Sequence, residues 1–234
     1  MQPIPVMDST ISESRVQASF ILKVYNWMTM GLAITALVAL AIQVAIPEVR
    51  TILIQNKFLF WFILIVELGL VWGLSAAINK IPAILAVLLF FAYAALNGVT
   101  FSILFLIYNI GTIGYTFFIT AVMFGGTSAI GYITKMDLSK LGGIMMMALF
   151  GIIIASIANI FIGSSNIEWI ISYAGVIVFV GLTAYDTQKL KRMSMNIESA
   201  SEEGNKASIM GALVLYLDFI NLFLFLLRIM GRRN

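Results

Sequence analysis

Residues 207–230 read ASIMGALVLYLDFINLFLFLLRIM, an apolar stretch with one acid, Asp218, near its centre. The apolar core of a bilayer is about 30 Å thick, and about 20 helical residues cross it at a rise of 1.5 Å each. The stretch is therefore long enough to cross a membrane as a single α-helix. It predicts a transmembrane helix that carries a carboxyl group inside the membrane.

Six further apolar blocks precede this one, and none shows the alternation of about 10-residue segments that a transmembrane β-barrel requires. Hydrophobic residues make up 61% of the chain and charged residues 11%, against about 25% charged in soluble domains. The sequence thus predicts an all-α integral membrane protein with seven transmembrane helices. The six earlier blocks are Phe20–Ile46, Leu53–Ile78, Ala83–Ile107, Thr112–Ile133, Leu141–Ile162 and Trp169–Thr187.

The composition excludes several kinds of site. The chain has no cysteine and no histidine, which rules out disulfides, thiol catalysis and zinc or haem sites built on those ligands. The usual side chain for sensing physiological pH is also missing, so a pH response must come from carboxyls or tyrosines. The net charge is only +3, and the basic residues flank apolar blocks as loop anchors. We therefore expect no cofactor and no nucleic-acid partner.

The apolar blocks form one predicted membrane domain, residues 20–231, behind a polar N-terminal tail, residues 1–19. The tail lacks the basic-then-apolar order of a cleavable signal peptide, so we expect the first span to remain as a signal anchor. Most connections are short, which makes neighbouring helices antiparallel. The longest polar connection is predicted over residues 188–206.

The positions of lysine and arginine favour a cytoplasmic N-terminus, because cytoplasmic loops are enriched in these residues. With seven spans and the N-terminus inside, nine basic residues lie on the inner side and five on the outer side. Three of the outer five lie at the C-terminus, and six spans with a re-entrant last segment would place them inside. The inner set is Arg15, Lys23, Lys80, Lys135, Lys140, Lys189, Lys191, Arg192 and Lys206; the outer set is Arg50, Lys57, Arg228, Arg232 and Arg233.

Small residues recur at every fourth position in two of the predicted spans. This spacing is typical of helix faces that approach one another closely in membranes. We therefore expect two packing faces, made of Gly69, Gly73 and Ala77 in the second span and Ala121, Gly125 and Ala129 in the fourth.

Three acids lie within the predicted spans: Glu67, Asp186 and Asp218. A charge at the bilayer centre costs about 2.5–3.5 kcal/mol on insertion scales, so such residues normally face a partner or a water-filled cavity. From the predicted helix ends, Asp218 and Glu67 lie near the midplane and Asp186 lies closer to the inner surface. Thr183 and Asn221 lie three residues from Asp186 and Asp218, respectively, and share their helix faces.

Packing of the sixth span against the seventh would let Asp186 and Asp218 meet and share one proton. Two carboxylates in contact cannot both stay ionised, so such a pair titrates as a unit. The alternative for Asp186 is an interfacial carboxylate neutralised locally near Gln188 and Lys189.

Calcium is the metal that such groups would suit. It takes about 6–8 hard oxygen ligands from carboxylates, amide carbonyls and water. Asp186 and Asp218, with Glu67 and Asn221, could supply a transient site weak enough for permeation but no tight cage. Thr183 joins Glu67 and Asn221 as a candidate for the ion path.

Two long motifs, GVIVFVGLTAYDTQKLK (175–191) and LYLDFINLFLFLLR (215–228), closely resemble the transmembrane Bax inhibitor motif family in its bacterial branch. The resemblance extends to VYNWMTMGLAIT (24–35), LFFAYAALNGVTFS (89–102) and GGTSAIGYITKMDLSKLGG (125–143). It implies a seven-helix fold with the C-terminal helix at the centre, in the bacterial inner membrane. It also implies a pH-sensitive cation leak, chiefly for Ca²⁺, closed by a hydrogen-bonded aspartate pair that Asp186 and Asp218 match.

One position departs from the family pattern. Some members carry an arginine near the inner end of the second span that engages the aspartates. This chain has Ala76 and Ala77 there, and Lys80 lies further out. If that arginine contributes to opening, gating in this chain depends on another group.

The residues leave two other functions open. An intramembrane aspartyl protease also has two aspartates on consecutive spans, and Tyr185-Asp186 matches the start of its first motif. Its second motif, Gly-x-Gly-Asp, is replaced here by Leu215-Tyr216-Leu217-Asp218, whose bulk would keep a substrate backbone out, so we expect no enzyme. A non-transporting regulator that binds other membrane proteins, such as a protease or a cell-death factor, would use the N-terminal tail and the 188–206 loop.

Overall fold

A computed structural model of the chain describes residues 6–195, 197 and 201–231, with side chains from residue 17 onward. In these ranges every regular element is a helix, and seven helical segments are long and apolar enough to cross a membrane. The predicted all-α fold with seven spans is confirmed. The helices are α1 (Val6–Ala45), α2 (Glu48–Gln55), α3 (Lys57–Ala77), α4 (Ala83–Phe101), α5 (Leu104–Ile107), α6 (Ile110–Ile133), α7 (Ser139–Ile162), α8 (Ser165–Met193) and α9 (Glu202–Met230).

The helices extend further into polar sequence than the apolar blocks predicted. Helix α1 begins at Val6, inside the polar N-terminal tail, α8 continues to Met193 and α9 begins at Glu202. The predicted 188–206 loop is therefore too long at both ends. Its lysines, arginine, glutamine and glutamates are good helix formers, and hydropathy does not indicate where a helix ends in water. Asp186 consequently lies two helical turns before the end of α8, deeper in the helix than predicted.

The first of two compact units contains the chain up to Leu106 together with Leu190–Tyr216. Here α1 packs closely on α4: a Cβ on Gly98 would lie 2.7 Å from the Thr35 carbonyl oxygen. The Thr35 hydroxyl also donates to the Ala94 carbonyl at 2.8 Å. A glycine and a threonine thus let two backbones approach in the way that packing in a membrane requires.

The second unit contains Ile107–Lys189 and the chain from Leu217 onward. Two glycines allow close approach here as well. A Cβ on Gly131 of α6 would lie 2.3 Å from the Ala184 carbonyl oxygen of α8, and one on Gly142 of α7 would lie 2.4 Å from the Tyr185 ring. These contacts fix the segment of α8 that carries Asp186.

The predicted small-residue packing faces are wrong. No atom lies within 4 Å of a Cβ built on Gly69, Gly73 or Gly125, and all three glycines are exposed on the described surface. The spacing of small residues along a helix does not indicate which side of that helix points inward. The glycines in close contact, such as Gly98 and Gly131, face the interior.

Helix α9 is the most buried of the seven candidate spans. Within its most apolar stretch 67% of residues are buried, against 11% in α3 and none in α7. This burial agrees with the central position predicted for the C-terminal helix, and it surrounds Asp218 with protein.

Candidate functional site

Aromatic contacts in the second unit set the register between α8 and α9. The Phe179 and Phe225 rings lie 5.9 Å apart, and Gly175 also faces the Phe225 ring. Asp186 lies seven residues after Phe179, and Asp218 lies seven residues before Phe225, so two turns along antiparallel helices carry both acids to the same level. Asp186 and Asp218 thus lie at the same level of neighbouring helices, and the sharing of a proton between them stays a prediction.

Asp218 is buried, with 5% of its surface exposed, and its Oδ2 atom has no hydrogen-bond partner among the described residues. Buried polar atoms are nearly always hydrogen-bonded, and an uncompensated buried charge costs several kcal/mol. A carboxyl in this position is therefore suited to hold a proton or to contact a cation.

Asp186 is half-buried and has a basic neighbour. Lys189, one turn further along α8, is exposed, and its charge acts on Asp186. Gln188, the other residue considered for local neutralisation, instead binds the backbone after α6. Its Nε2 donates to the Met136 carbonyl at 2.7 Å, and its Oε1 accepts from the Leu138 amide at 2.9 Å.

The two polar neighbours of the aspartates bind their own helices. The Thr183 hydroxyl donates to the Phe179 carbonyl at 2.7 Å, and the Asn221 amide donates to the Leu217 carbonyl at 2.8 Å. These bonds use the Thr183 proton and one Asn221 proton. The Thr183 oxygen and the Asn221 amide oxygen keep their ability to accept a proton donor or a cation.

A buried hydroxyl pair joins α6 to α8 beside Asp186. Ser128 Oγ and Thr187 Oγ1 lie 2.8 Å apart, and both residues are almost fully buried. Ser128 continues a series of buried residues on α6 at four-residue intervals, Thr116, Thr120 and Phe124. This series was not predicted from the sequence, although hydroxyl residues at regular four-residue spacing in an apolar block indicate a buried polar face.

Glu67 lies in the first unit, where it is buried and accepts a hydrogen bond from the Thr100 hydroxyl at 3.0 Å. In the same unit the Tyr93 and Tyr216 rings lie 5.7 Å apart. The Tyr216 hydroxyl lies 2.7 Å from Thr35 Oγ1. The pairing of Glu67 with Thr100 is a contact between α3 and α4 that helical spacing could not predict.

Among the described residues, no three acidic side chains form a group that could hold a metal ion. The expected joint calcium site of three acids and Asn221 is therefore not found in this part of the chain. In the second unit the candidate oxygen ligands are Asp186, Asp218, Thr183 and Asn221. Such a set fits passage of a cation better than tight binding.

Comparison with known proteins agrees with the resemblance seen in the motifs. A family model described as Bax1-I, inhibitor of apoptosis-promoting Bax1, matches residues 17–234. The inner membrane protein YbhL of Escherichia coli K12 is 46% identical over 237 residues and covers 100% of both chains. An uncharacterized protein of Borreliella burgdorferi is 43% identical over 95% of both chains. The uncharacterized protein RP147 of Rickettsia prowazekii is 40% identical over 92% of this chain and 90% of its own length.

Proposed function

This chain is an integral membrane protein of the Bax1-I family, and from that premise we propose that it is a pH-sensitive cation leak, chiefly for calcium. Protonation of the Asp186–Asp218 pair gates it. The observation that supports the proposal is the Phe179–Phe225 contact between α8 and α9, from which each carboxyl lies two helical turns away at the same level.

The pair works as a switch because its charge state changes its own packing. With one shared proton, the carboxyls hold α8 and α9 together through a short O–H···O bond. With two negative charges they repel, and this repulsion is strong where water is scarce. The proton count therefore shifts the population between two arrangements of these helices.

A permeating cation would pass carboxyl and amide oxygens in turn. Asp218, Asn221 and Thr183 offer such oxygens in the second unit, where Asp218 and Thr183 are buried. Calcium is the transported ion here and not a resident metal. Weak, sequential contacts suit permeation because an ion must leave each site as readily as it enters.

Lys189 takes the place of the missing arginine as the basic partner of the pair. Ala76 is exposed and Ala77 half-buried at the inner end of α3, whereas Lys189 acts on Asp186 from one turn away. The ammonium group stabilises the ionised form of Asp186 and so favours loss of the shared proton.

Calcium flux from proteoliposomes, measured from about pH 5 to about pH 8, tests the proposal directly. Asp218→Asn and Asp186→Asn each remove one titrating group with little change in volume, so the pH response should flatten in both. Glu203→Gln, an exposed change on the first turn of α9, should leave the response intact. An unchanged pH response in both asparagine variants would rule out the aspartate gate.

A second function, a regulator that binds other membrane proteins, is favoured by the family description as an inhibitor of apoptosis-promoting Bax1. Co-purified membrane proteins would distinguish the two roles. Partners that remain bound to Asp218→Asn protein and are lost when residues 194–201 are replaced by a glycine-serine linker would support the binding role. Partners lost with Asp218→Asn would tie binding to the gate.

We place the protein in the bacterial inner membrane with the N-terminus in the cytoplasm. The YbhL relative is an inner membrane protein, and the lysine and arginine count favours this orientation. The chain lacks cysteine, so Asn56→Cys and Asn79→Cys report the two faces without background. Impermeant thiol reagent added outside spheroplasts should label the first variant and spare the second.

A further inference from the structure

One face of α6 carries a polar series that is interrupted once. Thr116, Thr120, Phe124 and Ser128 follow one another at four-residue intervals, and all four are buried. Phe124 contacts the Phe219 ring of α9 at 5.5 Å, and Ser128 bonds to Thr187 of α8. The series therefore faces α8 and α9, the helices that carry the aspartates.

Aromatic rings fill the interruption. Phe219 is 3% exposed, and its ring lies 5.2 Å from that of Phe117 and 5.5 Å from that of Phe124. We call these three residues the aromatic cluster. Along α6 the cluster extends from Phe117 to Phe124, so it lies between Thr116 and Ser128.

One polar atom on this face of α6 and one on α9 lack protein partners among the described residues. Thr116 Oγ1 and Asp218 Oδ2 are buried and have no hydrogen-bond partner among the described residues. Buried polar atoms of this kind are usually satisfied by water. The two unpartnered atoms therefore favour water at their positions, whereas the packed rings of the aromatic cluster exclude it. A hydrophobic constriction between wetted segments closes a pore by dewetting.

We propose that Phe219, held between Phe117 and Phe124, is the hydrophobic gate of the leak. It lies between the Thr116 hydroxyl and the Ser128–Thr187 pair. Phe219 directly follows Asp218 on α9, so any movement of the helix that breaks the aspartate pair also moves this ring. The inference rests on the proposed leak and adds a barrier that does not itself titrate.

Replacement of the central ring tests the gate. Phe219→Ala should raise calcium flux from proteoliposomes several-fold at the pH where the native protein conducts least, because water enters the space the ring leaves. Phe118→Ala is the matched control, since Phe118 is also on α6 but is 65% exposed. Folded Phe219→Ala protein with the flux of the control would overturn the proposal.

Two further variants cover a loss of folding. Phe219→Leu keeps an apolar side chain of similar length and Phe124→Ala removes the facing ring, so both should increase flux, the leucine variant less. Gel filtration and thermal melting identify which variants fold. If Phe219→Ala does not fold, native flux in both of these variants would equally reject the gate.

Thiol labelling separates this proposal from the leak itself. In the cysteine-free background, Ser128→Cys lies beyond the aromatic cluster for an impermeant reagent added from the outer face. Labelling should be faster with Phe219→Ala than with Phe118→Ala. Equal labelling rates in the two backgrounds would exclude the gate, even if calcium flux occurs. Faster labelling with Phe219→Ala, but no calcium flux in any variant, would retain the barrier and reject the leak. If Asp218→Asn abolishes the pH response while Phe219→Ala leaves flux unchanged, the leak stands and the gate falls.

Discussion

Phe179 of α8 packs on Phe225 of α9 at 5.9 Å, and two helical turns from this contact Asp186 and Asp218 reach the same level. The aspartates are thus placed by an apolar contact that carries no charge. A packing change several residues away should therefore alter the aspartate pair without touching either carboxyl.

Gly175→Ala should disturb this register. A Cβ at this position would lie 2.6 Å from the Phe225 ring, and overpacking of this kind costs about 1–3 kcal/mol. Thermal melting in detergent should show the loss, and the pH response of flux should weaken because the acids shift apart. Adding Phe225→Leu gives the new methyl room and should restore both properties. A double variant no better than Gly175→Ala alone would argue that the ring contact does not set the register.

The stability of the protein should fall as pH rises through the titration of the aspartate pair. In the proposed folded state a proton is shared between the buried Asp218 and the half-buried Asp186, and unfolding separates them. More protons are then bound when folded, so stability decreases with pH. Melting temperature against pH should show this fall in the native protein and a smaller one in Asp218→Asn. Glu203→Gln should follow the native curve. Parallel curves for the native protein and Asp218→Asn would contradict proton sharing.

Lys189→Gln should move the pH midpoint of calcium flux upward. The Lys189 charge acts on Asp186, and without it the pair keeps its proton to higher pH. Lys140→Gln removes a charge from an exposed lysine at the start of α7 and should leave the midpoint in place. Equal midpoints for both variants would show that Lys189 does not substitute for the missing arginine.

Gly131→Ala should destabilise the second unit more than Gly125→Ala. The added methyl would lie 2.3 Å from the Ala184 carbonyl oxygen in the first case and in open space in the second. The Ala184 backbone cannot move aside as the end of a flexible side chain can. We therefore expect Gly131→Ala to lower the free energy of unfolding by about 1–3 kcal/mol. Gly125→Ala should be neutral or slightly stabilising in the same melting assay, since alanine is the better helix former.

Hydropathy predicted the seven spans because a bilayer demands about 20 apolar residues per crossing, whatever the tertiary packing. It could not predict which face of a span points inward. Gly69 and Gly125 were therefore assigned to packing faces, although both are exposed. Gly131 and Gly142, which do make close contacts, show no regular spacing in the sequence.

The candidate site also has a part that the sequence predicts and a part that depends on tertiary packing. Burial cost marked Asp186 and Asp218, and motif resemblance joined them. Thr183 and Asn221 share helix faces with the aspartates, but their donors bind backbone carbonyls one turn back. This local bond is available to these side chains in any helix. The link between Glu67 and Thr100 depends on tertiary packing and could not be read from one helix.

Helices α8 and α9 each contain 29 residues, whereas α3 contains 21. At 1.5 Å per residue the longer helices measure about 43 Å, against about 30 Å of hydrocarbon, so they must tilt or extend beyond the lipid. Tilt depends on bilayer thickness, and it slides antiparallel neighbours past each other. The acyl-chain length of the surrounding lipid therefore acts on the same two helices whose register brings the carboxyls together.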